Sequence, residues 1–174
     1  MRLRVAIALL LAAPFAHAVN PPRPVARPVP VTRPTPPITL KPVLYPILGN
    51  SQRIFAGTVL QVLHLNPSPA STLASTSIRF RVDEAIRGVR QGQIVEIREW
   101  AGLWQSGERY RPGERVLLFL YPPSKLGLTS PVGHRAGRFP LDKNGRVLLR
   151  QTGSLPRPVE LRRVVAAIRG AEQE

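Results

Sequence analysis

YRPGERVLLFLY, residues 110–121, packs a turn, a charged step and an apolar run into one stretch. Pro112 and Gly113 make the turn, Glu114 and Arg115 the step, and Val116, Leu117, Leu118, Phe119 and Leu120 an unbroken run that stops at Pro122-Pro123. A run this short between turn residues fits a strand buried on both faces, because a helix needs ~10 residues or more to present a comparable stripe. It is expected to be the central strand of a small β-barrel or sandwich.

The pattern on either side is also β-rich. Ile54 to His64 forms a long β-prone segment in which Gly57 marks a bulge or bend. A small-polar loop, Asn66 to Ser77, follows. Ile78, Phe80 and Val82 then alternate with Arg79, Arg81 and Asp83, which places apolar side chains on one face and charges on the other. Ala85 to Gly92 turns the corner into Ile94, Val95 and Ile97, whose strand would set Glu96 against Arg79 and Arg81 across the sheet. Residues 100–113 form a loop holding Trp100, Trp104 and Tyr110, and a second long loop runs from Pro122 to Ala136. Arg138–Leu141 and Arg146–Leu149 read as two short strands joined by Asn144-Gly145, a strong hairpin signal. Leu161, Val164, Val165 and Ile168 have the spacing of an amphipathic helix over Pro158–Arg169, with Gly170 as its stop. The expected fold is all-β, with five or six strands in residues 51–150 and a C-terminal helix and tail in 151–174.

The N-terminal residues read as a secretory leader, 1–18. Arg2 and Arg4 precede an apolar Val5–Ala13, Pro14 breaks it, and Ala16-His17-Ala18 has the form of a cleavage site. The apolar segment falls short of the ~20 residues that span a bilayer, so cleavage and a periplasmic or secreted location are expected. There is no cysteine to acylate and no adjacent arginine pair, which points to the general export route. Residues 19–50 are a Pro/Arg-rich linker, disordered or polyproline II, with eight prolines between Pro21 and Pro37 and Arg23, Arg27, Arg33 and Lys41 as its charges. It serves either as a cationic arm or as a solvated tether.

The order Phe55-x-Gly57-x-Val59, Phe80-x-Val82, Gly88, Ile94 to Ile97, Tyr110-x-x-Gly113-Glu114, Leu117 to Leu120 and Gly133-x-x-x-Gly137-Arg138-Phe139 resembles small exported bacterial domains without an assigned role. Their strand pattern is similar to the OB-like barrel of netrin-type modules and tissue inhibitors of metalloproteinases. The resemblance covers residues 52–150 and implies a five- to six-stranded OB-like barrel. In that inhibitor family a leading Cys caps the protease zinc. This chain has no Cys, so neither that activity nor any site residue carries over.

Motifs for bond-making chemistry do not emerge. His17 leaves with the leader, and His64 and His134 stand seventy residues apart with no short-spaced partner. Asp83-Glu84 is the one adjacent acidic pair, and neighbours in a strand point to opposite faces. The serines lack a G-x-S-x-G context and the glycines form no phosphate-binding fingerprint. The expectation is a non-catalytic protein without metal or cofactor. A hydrolase built on Glu99 or Glu114 is a further alternative, and it requires a cleft that gathers two or more acids or imidazoles.

Charge is the feature that points to a partner. The chain carries 25 Lys and Arg against 10 Asp and Glu, a formal +15, and 22 of the 25 are Arg. Arg79, Arg81, Arg87, Arg90, Arg98, Arg109, Arg111, Arg135, Arg138 and Arg146 are candidates to line one face. Trp100, Trp104, Arg109 and Tyr110, with Arg79 and Arg81, form the expected contact surface. The partners that fit are an anionic envelope polymer, lipid headgroups or an acidic protein. An OB-type platform for single-stranded nucleic acid, using aromatic stacking in a positive groove, is the alternative.

Overall fold

Every residue from Val116 to Leu120 is buried, and their alternation divides the interior into two cores. The computed structural model describes residues 39–67, 73–105, 107, 109–149 and 156–173, with 104 and 105 as backbone alone. Among these, α1 is Lys41–Leu48, β1 Arg53–Leu65, β2 Ser75–Arg87, β3 Ile94–Trp100, α2 Ala101–Gln105 and β4 Arg115–Leu120. They are followed by β5 Arg138–Pro140, β6 Arg146–Leu149, β7 Arg157–Glu160 and α3 Leu161–Ala171. An antiparallel sheet runs β3-β2-β1-β4-β5, and β6 pairs with β7 in a small second sheet.

Val116, Leu118 and Leu120 point into an inner core with Phe55, Val59, Ile78, Phe80, Val82, Val95 and Ile97. The sheet supplies nearly all of these residues, so this core forms by the sheet curling on itself. Phe55 meets Phe80 edge to face at 5.7 Å, and Phe80 meets Tyr110 at 5.5 Å. Gly57 permits the curl: β1 shifts register between Ala56 and Gly57, and a Cβ there would stand 2.7 Å from Arg81 O and 3.2 Å from the Phe55 ring. Leu117 and Phe119 point the other way with Ile54 and Ala56, into an outer core closed by α1, α3, β6 and β7. Phe119 packs on Phe139 at 5.8 Å. Arg87, at the end of β2, ties this cover together by donating to Leu48 O (3.0 Å), Ser51 O (2.8 Å) and Glu172 Oε1 (2.7 Å).

Several expectations are corrected. The sheet is not a closed barrel: β5 is three residues long, and β3 and β5 do not pair. An irregular segment bridges the edge of β3 to the end of β4 instead. Thr129 N–H donates to Arg98 O (2.8 Å), Val132 N–H donates to Phe119 O (2.8 Å), and Pro131, which has no N–H to offer, bridges Leu120. β4 is buried on both faces as expected, but β1 holds the central place, because its thirteen residues can pair on both sides. The linker ends earlier than residue 50. Lys41–Leu48 is helical, with Pro42 in its first turn where a missing N–H is harmless, and with Leu44, Ile47 and Leu48 buried in the outer core. The preceding leader and most of the arm lie outside the described residues. Asn144-Gly145 does make a turn, and Leu141 bridges Val147, but β5 then joins β4 whereas β6 joins β7. The terminal helix is present with Val164, Val165 and Ile168 buried. It runs through Gly170 to Ala171.

That turn is locked by Asp142, which accepts from the backbone N–H of Arg146 (2.9 Å), the N–H of Asn144 (2.9 Å) and Arg146 Nε (2.8 Å). Led by the Arg146 amide, these contacts hold its carboxyl below the usual aspartate range. A depressed folded-state pKa gives a stabilisation that is full above the unfolded value of ~3.9 and drains away as pH falls through the lowered one. A carboxyl NMR titration is expected to give Asp142 a midpoint below that of a free aspartate, moving up towards it in Arg146→Ala. A midpoint at the free value would show that the turn is not held this way.

Candidate binding face

Strand register assigns the face of β1, β2 and β3 that points away from the inner core. From the loop end of the β1–β2 hairpin inward, its rows are Leu65, Ser75 and Trp100, then Leu63, Ser77 and Arg98, then Gln61, Arg79 and Glu96. The last row is Thr58, Arg81 and Ile94, extended across β4 by Arg115. Further along the same face Ala56 and Leu117 lie under the outer core's cover. The rows named here are not roofed over: Leu63 is 44% exposed, Trp100 55% and Ile94 45%.

The face is positively charged, with four arginines against Asp83 and Glu96. Asp83 is engaged by its neighbours, accepting from Thr58 Oγ1 (2.6 Å) and Arg81 Nε (3.2 Å), with Arg115 Nε at 3.7 Å. Glu96 accepts from Ser77 Oγ at 2.8 Å, and Arg98 Nη2 donates to Ser75 Oγ at 3.3 Å. These two long side chains fold over the serines of β2, which is why Ser75 and Ser77 are buried on a face that is otherwise open. Arg79 stands opposite Glu96 in register, and Nη1 reaches Gln61 Oε1 at 3.5 Å. Arg98 Nε is buried without a hydrogen-bond partner among the described residues.

Of the residues expected from sequence to make contact, Arg79, Arg81 and Trp100 share this face. Tyr110 does not: it is 2% exposed and belongs to the inner core. Its hydroxyl donates to Glu99 Oε1 at 3.0 Å, and the Arg138 guanidinium lies 4.0 Å above its ring. Arg138 Nη2 in turn donates to Glu114 Oε1 and to Arg109 O, both at 2.7 Å. Arg109 is exposed beside this cluster, and Trp104 lies in α2. The arginines are therefore divided. Arg79, Arg81 and Arg98 line the face, whereas Arg87 ties the outer cover, Arg138 caps Tyr110 and Arg146 pairs with Asp142. Leu63, Leu65 and Arg115 were not singled out from sequence. The available signal was their position in β1 and β4, and it becomes legible once the register with Arg79 and Arg81 is known.

Glu99 and Glu114 do not form an open carboxylate pair. Glu99 is buried under Tyr110, and Glu114 is held by Arg138. His64 lies at the C-terminal end of β1, beside the loop to β2, with Nδ1 3.3 Å from Thr76 Oγ1, and His134 stands on a separate 3-10 turn. Among the described residues no three His, Asp or Glu side chains stand close enough to hold a metal ion, and no helix is long and apolar enough to cross a membrane. Comparison with family models, curated proteins and solved structures finds no match.

Trp100 is set by Gly102, because a Cβ there would intrude on the six-membered ring of the indole. Only glycine lets the indole lie against the start of α2. In a Trp104→Phe background, Gly102→Ala is expected to red-shift Trp100 emission and raise its collisional quenching without loss of stability, since Ala gains ~1 kcal/mol over Gly in a helix. An unchanged spectrum would mean that the ring does not rest there. Tyr110→Phe leaves the buried Glu99 short of a donor, and an unfolding free energy lowered by ~1 to 3 kcal/mol, seen as a lower midpoint, is expected in a denaturant titration. No change in midpoint would place that hydroxyl outside the stabilising network.

Proposed function

We propose that this chain is an exported, non-catalytic binding module whose bare half-face takes an extended ligand rich in phosphate or carboxylate. The observation that carries the reading is the placement of Arg79, Arg81, Arg98 and Trp100 on one uncovered sheet face, with Arg115 at its margin. Guanidinium groups pair with such oxyanions bidentately, and an exposed indole adds a flat contact at little entropic cost. Glu96 and Asp83 occupy the same face, but each is engaged by neighbouring side chains. A single-stranded nucleic acid would draw on the same charges. Burial of Tyr110 removes one of the aromatics that a stacking platform would need, so the polyanion reading is preferred.

The experiment is a titration of the full chain with inorganic polyphosphate across a series of ionic strengths. Binding is expected at low salt and to weaken steadily as salt rises, and Arg79→Ala with Arg81→Ala should lower affinity by about tenfold, equivalent to ~1.4 kcal/mol. An oligodeoxythymidine titrated in parallel distinguishes the alternative: markedly tighter binding than to polyphosphate would favour nucleic acid. Absence of binding to either at low salt, or an affinity untouched by the double substitution, would end the reading for this face.

A further inference from the structure

A sheet that stays open has two edges, and its outer strands, β3 and β5, guard theirs differently. On β5, Phe139 stands opposite Leu117, and the next residue but one, Leu141, donates its N–H to Arg115 O. The residues turned away from β4 are therefore Arg138 and Pro140. Pro140 has no N–H to offer an incoming strand, which blunts that edge. β3 carries no such guard. Arg98 O accepts from Thr129 N–H on the side away from β2, and Gln93 O accepts from Val82 N–H on the side towards it. Backbone groups alternate sides along a strand, so the N–H and C=O of Ile94 and Glu96 point outward with those of Arg98. Among the described residues these groups of Ile94 and Glu96 meet no partner.

Resting on the proposal of a polyanion-binding face, we infer that the ligand is an extended acidic polypeptide segment, which adds to β3 as a further antiparallel strand. β3 pairs with β2 over seven residues without a register shift, so its free edge is regular from Ile94 to Ile97. Hydrogen-bonded residue pairs can form there opposite Ile94 and opposite Glu96, and Thr129 closes the row at Arg98 O. In strand addition the main-chain bonds supply affinity, and side chains at every second position supply selectivity. Here the selecting side chains lie on the bare face, level with the Arg81–Ile94 and Arg79–Glu96 rows. The added strand is two strand spacings, ~9.6 Å, from β2, a gap that a carboxylate and a guanidinium side chain close from either side. Arg98 stands on the diagonal from the position opposite Glu96. The intervening positions lie beside Val95 and Ile97 at the margin of the inner core, where apolar side chains fit. The segment is thus one in which acidic and apolar residues alternate.

Other occupants use less of what is there. Polyphosphate or nucleic acid would engage the arginines, but neither has a ladder of amide donors and acceptors to set against Ile94 and Glu96. A second copy of this chain brings the same positive charge to the meeting. The antiparallel register that would oppose Glu96 of one copy to Arg98 of the other also needs Arg98 O, which Thr129 already holds.

The test titrates the full chain into a fluorescein-labelled peptide of alternating Asp and Val, roughly six residues long and blocked at both ends, with polyphosphate run in parallel. Binding is expected by anisotropy, together with slowed amide exchange at Ile94 and Glu96. In the antiparallel arrangement the Asp nitrogens face β3 and the Val nitrogens face away. Methylating the Asp nitrogens should therefore weaken binding by about tenfold at unchanged charge, and methylating the Val nitrogens should not. Any other ranking of the two peptides would overturn strand addition. Glu96→Pro removes an outward N–H without touching the pairing to β2, and should lower peptide affinity by about tenfold where Glu96→Gln does not. Neither substitution should lower polyphosphate affinity, whereas Arg79→Ala with Arg81→Ala should lower both. Peptide affinity indifferent to the edge proline would count against the inference. Retained polyphosphate binding with no peptide binding would overturn the polypeptide as ligand and leave the face itself intact. Loss of both would take the parent reading with it.

Discussion

A strand that carries large apolar side chains on both faces must be covered on both, and in this chain the two covers are made differently. On one side of β4 the sheet bends until β1, β2 and β3 close over Val116, Leu118 and Leu120. On the other, Leu117 and Phe119 are covered from outside by α1, α3 and the β6–β7 pair. The bend depends on Gly57, where Phe55 and the backbone of Arg81 come too close for any side chain. Neither cover replaces the other, because a sheet curled in one direction leaves its convex side open.

The outer cover is short. α1, α3 and the small sheet reach across β1 and β4 at one end, and the rest of the convex face on β1, β2 and β3 is left to solvent. What stands there follows from strand alternation, since Ile78, Phe80 and Val82 must face inward and Arg79 and Arg81 are therefore turned outward. The candidate face is in this sense the remainder of the core. Along it Leu63, Leu65 and Trp100 stand at the end next to the β1–β2 loop, and Arg79 and Arg81 lie further along.

The loop between β3 and β4 shows a different use of the same residue types. Tyr110 turns inward onto Phe80, its hydroxyl satisfies Glu99, and Arg138 closes the stack from above while meeting Glu114. A tyrosine and an arginine that look like contact residues in the sequence here anchor the loop to the inner core. Arg87 and Arg146 have likewise been drawn into structural pairs, with Glu172 and Asp142. The arginine excess is therefore partly internal mortar, and the surface available to a ligand is narrower than the formal charge of +15 implies.

By itself the sequence determined the strand at Val116–Leu120, the bulge at Gly57, the alternation of β2, the turn at Asn144-Gly145 and the stripe of α3, because each follows from local periodicity or from a backbone preference held within a few residues. The opposition of Arg79 and Glu96 was legible for the same reason, since two amphipathic strands joined by a short corner have few registers to choose from. Tertiary structure alone decided that the sheet stays open, that α1 joins the core despite two prolines, that β5 and β6 part into separate sheets, and that Tyr110 turns in while Trp100 stays out. Those outcomes depend on which surfaces meet after the chain has folded. An apolar side chain next to a loop carries no local mark of whether a distant strand, a helix or the solvent will lie against it.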